Sequence, residues 1–310
     1  MTLPLAPRTT SVRRTRSRTR KATPGRIAAW AYLGLVSLIT LFPFYWIVRT
    51  ALSNNYRLAT DPSSPLPVGF TFGAFKRALG LASIAEAQAQ GGSGASLDIA
   101  LYLRNSVIYA SVQTLLIVLF SACAAYAFSR LHWRGRNLVF GVLISALMVP
   151  SVFTLLPNFV FIKDLGLTNT FAGLILPGGL FQAFTVFFLR QFMLGLSSEI
   201  EEAAIIDGAG PLRILYRIIL PMSAAPIATV SLLMFVNAWN DYMWPLLVTN
   251  DAGVQPLTLA LGVFKQSSPQ AAPDWAGLMA AALIAALPML LLFLAFGKRI
   301  VNSIGFSGLK

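Results

Sequence analysis

The sequence predicts an all-α polytopic membrane protein: six transmembrane helices, with a charged helical element on the cytoplasmic side between spans four and five. Three observations predict it. The 310 residues are 56% hydrophobic and only 11% charged, against about 25% charged in soluble domains. Six apolar stretches reach the ~20 residues that cross a bilayer. Between the fourth and fifth of them lies "EEAAIIDGAGPLRILYRIILP" (201–221), where acids, glycines and prolines break the apolar text.

The first span is Ile27 to Val48; its apolar part is too long for a signal-peptide core, and no small-residue cleavage site follows. The second runs from about Leu101 to Phe128. The third, Leu138 to Ile162, is interrupted by Pro150 and Pro157. The fourth is Phe171 to Leu189, the fifth Pro221 to about Val248, and the sixth Trp275 to Phe296. No repeat with a clear period is visible.

Of the 24 Lys and Arg, eight fall in the first 26 residues. Residues 1–26 therefore read as a basic, disordered cytoplasmic tail that sets topology and attracts anionic lipid. With the N-terminus inside, 17 basic residues lie on the inner side and 7 on the outer. That asymmetry places both termini in the cytoplasm. Residues 27–310 form the transmembrane domain, and the gathering of basic residues in the tail beside the first span, where it serves lipid and topology, argues against nucleic acid as a partner. The charged ends "SRLHWRGR" and "FGKRI" are expected to snorkel to headgroups. The outer loop at about 50–100 is expected to form a small cap ahead of a flexible linker, "AEAQAQGGSGAS" (85–96). One cysteine, Cys123, and one histidine, His132, exclude an internal disulfide and a Cys/His metal cluster.

The stretch at about 197–220 is expected to fold as an elbow. Ser198 with Glu201 three residues on is a capping-box pattern. Ile200, Ala203, Ala204 and Asp207 then share one helical face. Gly208 and Gly210 stop that helix and Pro211 starts the next. Its acids, Glu199, Glu201, Glu202 and Asp207, argue against an interfacial helix lying on anionic lipid. They favour a projection made to enter a groove on another protein.

Glu202-Ala203-Ala204, Asp207-Gly208-Ala209 and the closing Ile218-Ile219-Leu220-Pro221 resemble the EAA loop of ABC importer permeases. "FVNAWNDYMWPLL" (235–247) is similar to the carbohydrate-uptake type, in particular the second permease of maltose-like transporters. The likeness covers roughly residues 27–310. It implies that the elbow is a coupling helix seated in a cleft of an ATPase subunit, with Glu202 and Gly208 at the joint and Ala203, Ala204 and Asp207 beside them. It also implies a homologous second permease, two ATP-binding subunits that hold ATP and Mg, and an extracytoplasmic sugar-binding protein facing loops 50–100 and 250–274. The sequence itself contains no phosphate-binding G-x-x-x-x-G-K-[ST] loop, so no cofactor is expected on this chain and no bond chemistry of its own.

Polar groups inside a span are costly and often functional. Asn237 lies 16 residues beyond Pro221, roughly 24 Å at 1.5 Å per residue. Asn237, Asn240 and Asp241, with Trp239 among them, fit either a path for sugar hydroxyls and ring faces or ordinary belt and helix-joining residues. Asn158 beside the third-span prolines, and Gln182 after Pro177-Gly178-Gly179, fit either a path lining or a kink. An ion-coupled secondary transporter of a small polar solute is the alternative; it needs an acid at mid-span, and Asp241 is the nearest case.

Overall fold

The computed structural model describes residues 24–92, 97–180, 182–267 and 273–305. The expected tail and residues 93–96 of the expected linker lie largely outside them. Every element among the described residues is helical: α1 (Pro24–Ala51), α2 (Asn55–Thr60), α3 (Gly73–Ala78), α4 (Ile84–Ala89), α5 (Ile99–Ser129), α6 (Arg136–Ser145), α7 (Ser151–Asp164), α8 (Phe171–Gly179), α9 (Ala183–Leu194), α10 (Glu199–Ile206), α11 (Pro211–Ile214), α12 (Leu220–Met222), α13 (Ala224–Trp239), α14 (Met243–Val248), α15 (Leu257–Ser267) and α16 (Trp275–Gly305).

The chain divides into two units at the step from Trp46 to Ile47. The described part of the first is α1 up to Trp46, apolar on all sides, as a membrane span is. The second unit is built around α5, a 31-residue helix about 46 Å long at 1.5 Å per residue. Helices α8, α9, α13 and α15 pack along it.

Three helices are long and apolar enough to cross a membrane: α1, α5 and α16. Each of three bent pairs makes one further span, with breaks at the expected interruption at Pro150, at Pro177-Gly178-Gly179, and at Pro221, where the fifth span is expected to begin. Residues 136–148 and 151–164 meet at 101°, 171–179 and 183–194 at 47°, and 211–222 and 224–239 at 80°. Each break has a local cause. Pro150 is extended and cannot continue the helix before it. Pro177, Gly178 and Gly179 end α8. Pro221 offers no N–H to the carbonyl of Arg217, and the turn ahead of it, Leu215–Ile219, widens to a π-helix. Pro157, by contrast, stays inside α7.

At the end of α5 where it begins, small residues let helices meet closely. Ala74 and Ala78 of α3 face Ala276, Ala280 and Ala281 of α16, all with no solvent exposure. Residues 85–89, expected as flexible linker, belong to α4 instead. Its cap is a true capping box: Ser83 Oγ accepts from the Glu86 N–H, and the Glu86 carboxylate accepts from the Ser83 N–H. The loop expected at 250–274 likewise contains α15, held to α5 where Ser106 Oγ accepts from the Leu257 N–H at 2.8 Å.

Candidate functional site

At the far end of α5 the chain makes the expected elbow. Helix α10 ends in a Schellman turn. The Ala209 N–H donates to the Ala204 carbonyl at 2.9 Å, and the Gly208 N–H to the Ile205 carbonyl at 2.9 Å. Gly208 sits at φ +78°, a conformation glycine adopts without a Cβ penalty. Gly210 then caps α11, with Pro211 in its first turn.

The start of α10 departs from expectation. Ser198 is itself helical in backbone and makes no side-chain cap bond. The Glu201 carboxylate that would complete the box is turned inward to Arg130, with Oε1 3.0 Å from Nε. The N–H is not aimed at that oxygen, so the contact is an ion pair without an aligned hydrogen bond. Burial raises the Glu201 carboxyl above its ordinary value, and the Arg130 charge pulls it back down.

The other elbow residues divide by face. Glu202, Ala203, Asp207 and Gly208 are exposed. Ile206 projects with 85% of its surface open, and Leu212 with 70%. Ala204 turns inward, where it and Ala209 pack on Leu189, Met193, Ile214 and Leu215. The elbow thus has an apolar root and an acidic, partly apolar tip, and four of the five coupling candidates stand on that tip.

Arg130, expected to snorkel, is instead held inward, and Arg190 complements it across the two helix ends. Arg130 Nη2 donates to the carbonyls of Met193 and Leu196, the latter at 2.7 Å. Arg190 Nε donates to the Phe128 carbonyl at 3.2 Å, and its guanidinium lies 4.1 Å from the centre of the Phe140 ring. Each arginine covers carbonyls at the other helix's C-terminus, where a positive charge is favoured.

The path candidates do not form one cluster. Asn237 and Asn240 are exposed on α13 and just past it, and Asn240 Nδ2 is spent on the Val236 carbonyl at 2.8 Å. Trp239 does not join them at the surface: it is 4% exposed, stacked on Phe235 within the core. Asp241 accepts from the Tyr109 hydroxyl at 2.9 Å, tying α13 to α5. Asn158 is half-buried on α7, and Gln182 precedes α9, its N–H donating to Ser121 Oγ at 3.3 Å. Sequence reasoning missed Tyr109, whose hydroxyl inside an apolar run marks it as a polar partner only once the fold supplies Asp241.

Comparison with known proteins bears on this arrangement. The trehalose/maltose transport system permease protein MalG of Thermococcus litoralis is 32% identical over 281 residues, covering 89% of this chain and 94% of its own. The diacetylchitobiose uptake system permease protein NgcG of Streptomyces coelicolor is 30% identical over 275 residues, covering 88% and 85%. The sn-glycerol-3-phosphate transport system permease protein UgpE of Brucella abortus is 30% identical over 274 residues, covering 88% and 92%. The fold matches a solved bacterial ABC transporter that imports the acidic polysaccharide alginate, with TM-score 0.73 at 21% identity over 88% of this chain and 95% of that one. Residues 102–305 match the family described as binding-protein-dependent transport system inner membrane component. The chain belongs to that family: it is a membrane-spanning permease subunit of an ABC importer, a transport component and not itself an enzyme, working in a complex whose ATP hydrolysis is carried by a partner.

Proposed function

We propose that this subunit carries a sugar or oligosaccharide inward, with both termini and the α10 elbow in the cytoplasm and α10 seated in a cleft of an ATPase subunit that binds ATP and Mg. The observation that carries the reading is the tip of the elbow. It is rigidly ended by the Gly208 turn and exposes Glu202, Ala203, Asp207 and Ile206 together. An exposed apolar knob ringed by acids is what a protein groove accepts and an anionic headgroup layer repels.

A homologous second permease completes the path, and an extracytoplasmic binding protein delivers solute to the opposite end, near α2–α4 and α15. The partner's nucleotide-driven closure pushes the elbow, and spans four and five rock with it. Saccharide is favoured by the relatives' uptake of trehalose/maltose and diacetylchitobiose. Asn237 exposes an amide, and Asn240 an amide oxygen, suited to hydroxyls. The ion-coupled alternative is not favoured, since Asp241 already serves Tyr109.

The test is purification of the complex from detergent. An ATPase subunit should copurify with the unaltered chain, and Glu202→Lys or Gly208→Trp should reduce its recovery at least about tenfold, a loss of some 1.4 kcal/mol of affinity. At Gly208 a Cβ meets nothing within 4 Å, so Gly208→Asn, which tolerates the left-handed turn, should retain it. Full recovery with Glu202→Lys sinks the docking reading. Stimulation of ATP hydrolysis by loaded binding protein across a saccharide panel identifies the solute.

A further inference from the structure

Helix α10 follows α9 through only residues 195–198, a turn that includes Gly195. A bend there would let the elbow swing without moving anything behind it. Yet one of its four acids is withheld from the tip. Glu199, Glu202 and Asp207 are exposed, while the Glu201 side chain is 11% exposed and faces Arg130, itself 12% exposed. Arg130 is the residue that caps α5, and the same guanidinium holds the Met193 and Leu196 carbonyls at the end of α9. A planar fork can hold the two carbonyls in fixed directions while its charge faces Glu201, in a way an ammonium cannot. Arg190 returns the connection from α9 to α5, so the two helix ends form one block.

We propose that Arg130 is a positioning residue, with Glu201 its handle on the elbow: the pair carries α10's displacement into span two as well as span four. This rests on the docking reading above. The covalent chain connects α10 to α9 and onward to α13; beside the packing of Ala204 on the cluster that includes Ala122, Ala125 and Tyr126, the ion pair ties α10 to the end of α5, the helix along which α8, α9, α13 and α15 pack. Glu201 therefore does not touch the ATPase. It transmits what Glu202 and the Gly208 turn receive.

The experiment reconstitutes the full importer with its partner subunits in proteoliposomes and measures solute delivered per ATP hydrolysed. This ratio is insensitive to how much protein folds. Glu201→Gln keeps the shape and removes the charge. It should leave the ATPase subunit copurifying while the ratio falls about fivefold or more, the low end of couplings between sites. Arg130→Gln should fall at least as far, and Arg130→Lys, which keeps a charge opposite Glu201 but cannot span both carbonyls, should recover part of the loss. If Arg130→Gln does not assemble, Glu201→Gln carries the test alone. An unchanged ratio in Glu201→Gln overturns the proposal. So does loss of the ATPase subunit from Glu201→Gln, which would make Glu201 a docking residue. Failure of the docking reading is separately visible, because the unaltered preparation would then lack an ATPase subunit.

Discussion

An ion pair lies near each end of α5, and the two are built differently. Near its start, Arg77 grips Asp274 with two hydrogen bonds, Nε to Oδ2 at 2.9 Å and Nη2 to Oδ1 at 2.8 Å, with side-chain exposures of 3% and 1%. The surplus valences are also filled. Arg77 Nη1 donates to Gln90 at 3.0 Å, and Asp274 Oδ1 accepts from the Gly277 N–H at 2.8 Å, capping α16. Asn55 braces the same corner, donating to the Gly91 and Pro273 carbonyls and accepting from the Ala276 N–H. Near the far end, Arg130 and Glu201 meet at one contact without an aligned hydrogen bond and with some solvent access. A saturated pair fixes a joint, because any movement leaves a charge uncompensated in a dry site. An unsaturated pair can lengthen and re-form at small cost. The first suits a cap that must stay with α16, and the second a lever.

The largest effect expected from that contrast is on stability. Asp274→Ala strands the Arg77 charge and should cost about 3–5 kcal/mol. Glu201→Gln should cost about 1 kcal/mol or less, as for pairs with water nearby. Thermal unfolding of the two purified variants checks it. Equal losses would show that the two joints are alike and remove the distinction. A smaller effect probes how tightly the first clamp is boxed. A Cβ on Gly277 would lie 2.5 Å from the Asp274 carboxylate, and one on Gly92 2.7 Å from Arg77. Gly277→Ala should therefore destabilise by about 1–3 kcal/mol, measured in the same way, although alanine is the better helix former. A stabilised Gly277→Ala would mean that the carboxylate has room to move and that the clamp is not rigid.

What the sequence made legible follows the reach of each signal. Gly208, Gly210 and Pro211 act within a turn, and the elbow's end formed where they lie. Pro150 and Pro177-Gly178-Gly179 marked real breaks, though not the angles, which depend on what the halves pack against. Arg77 and Asp274 lie 197 residues apart, and nothing local in "FKRAL" or "APDWAG" announces a partner. Arg130 ends an apolar run, which locally marks a headgroup anchor; its neighbours across the fold, Met193, Leu196 and Glu201, supply acceptors instead. Trp239 lies between the polar Asn237 and Asn240 in sequence, yet a helix turns 100° per residue, and Trp239 is buried in the core.

The smallest effect separates two copies of one short pattern. Ser83-Ile84-Ala85-Glu86 and Ser198-Glu199-Ile200-Glu201 both have a serine three residues before a glutamate. At the first, the Ser83 backbone N–H, and after it the hydroxyl, hold the Glu86 carboxyl below its ordinary range. A lowered carboxyl stabilises above its unfolded value and ceases to as pH falls through the folded one, so this box should loosen in acid. At the second, the carboxylate faces a full positive charge, Arg130 at the end of another helix, in place of the serine N–H. Ser83→Ala should thus lower local stability of α4 by about 1 kcal/mol, speeding exchange of the amides that follow it about fivefold. Ser198→Ala should leave exchange in α10 unchanged, since its hydroxyl caps nothing. If both variants loosen their helices alike, Ser198 caps α10 in solution, Glu201 is free to leave Arg130, and the inner joint is weaker than its geometry implies.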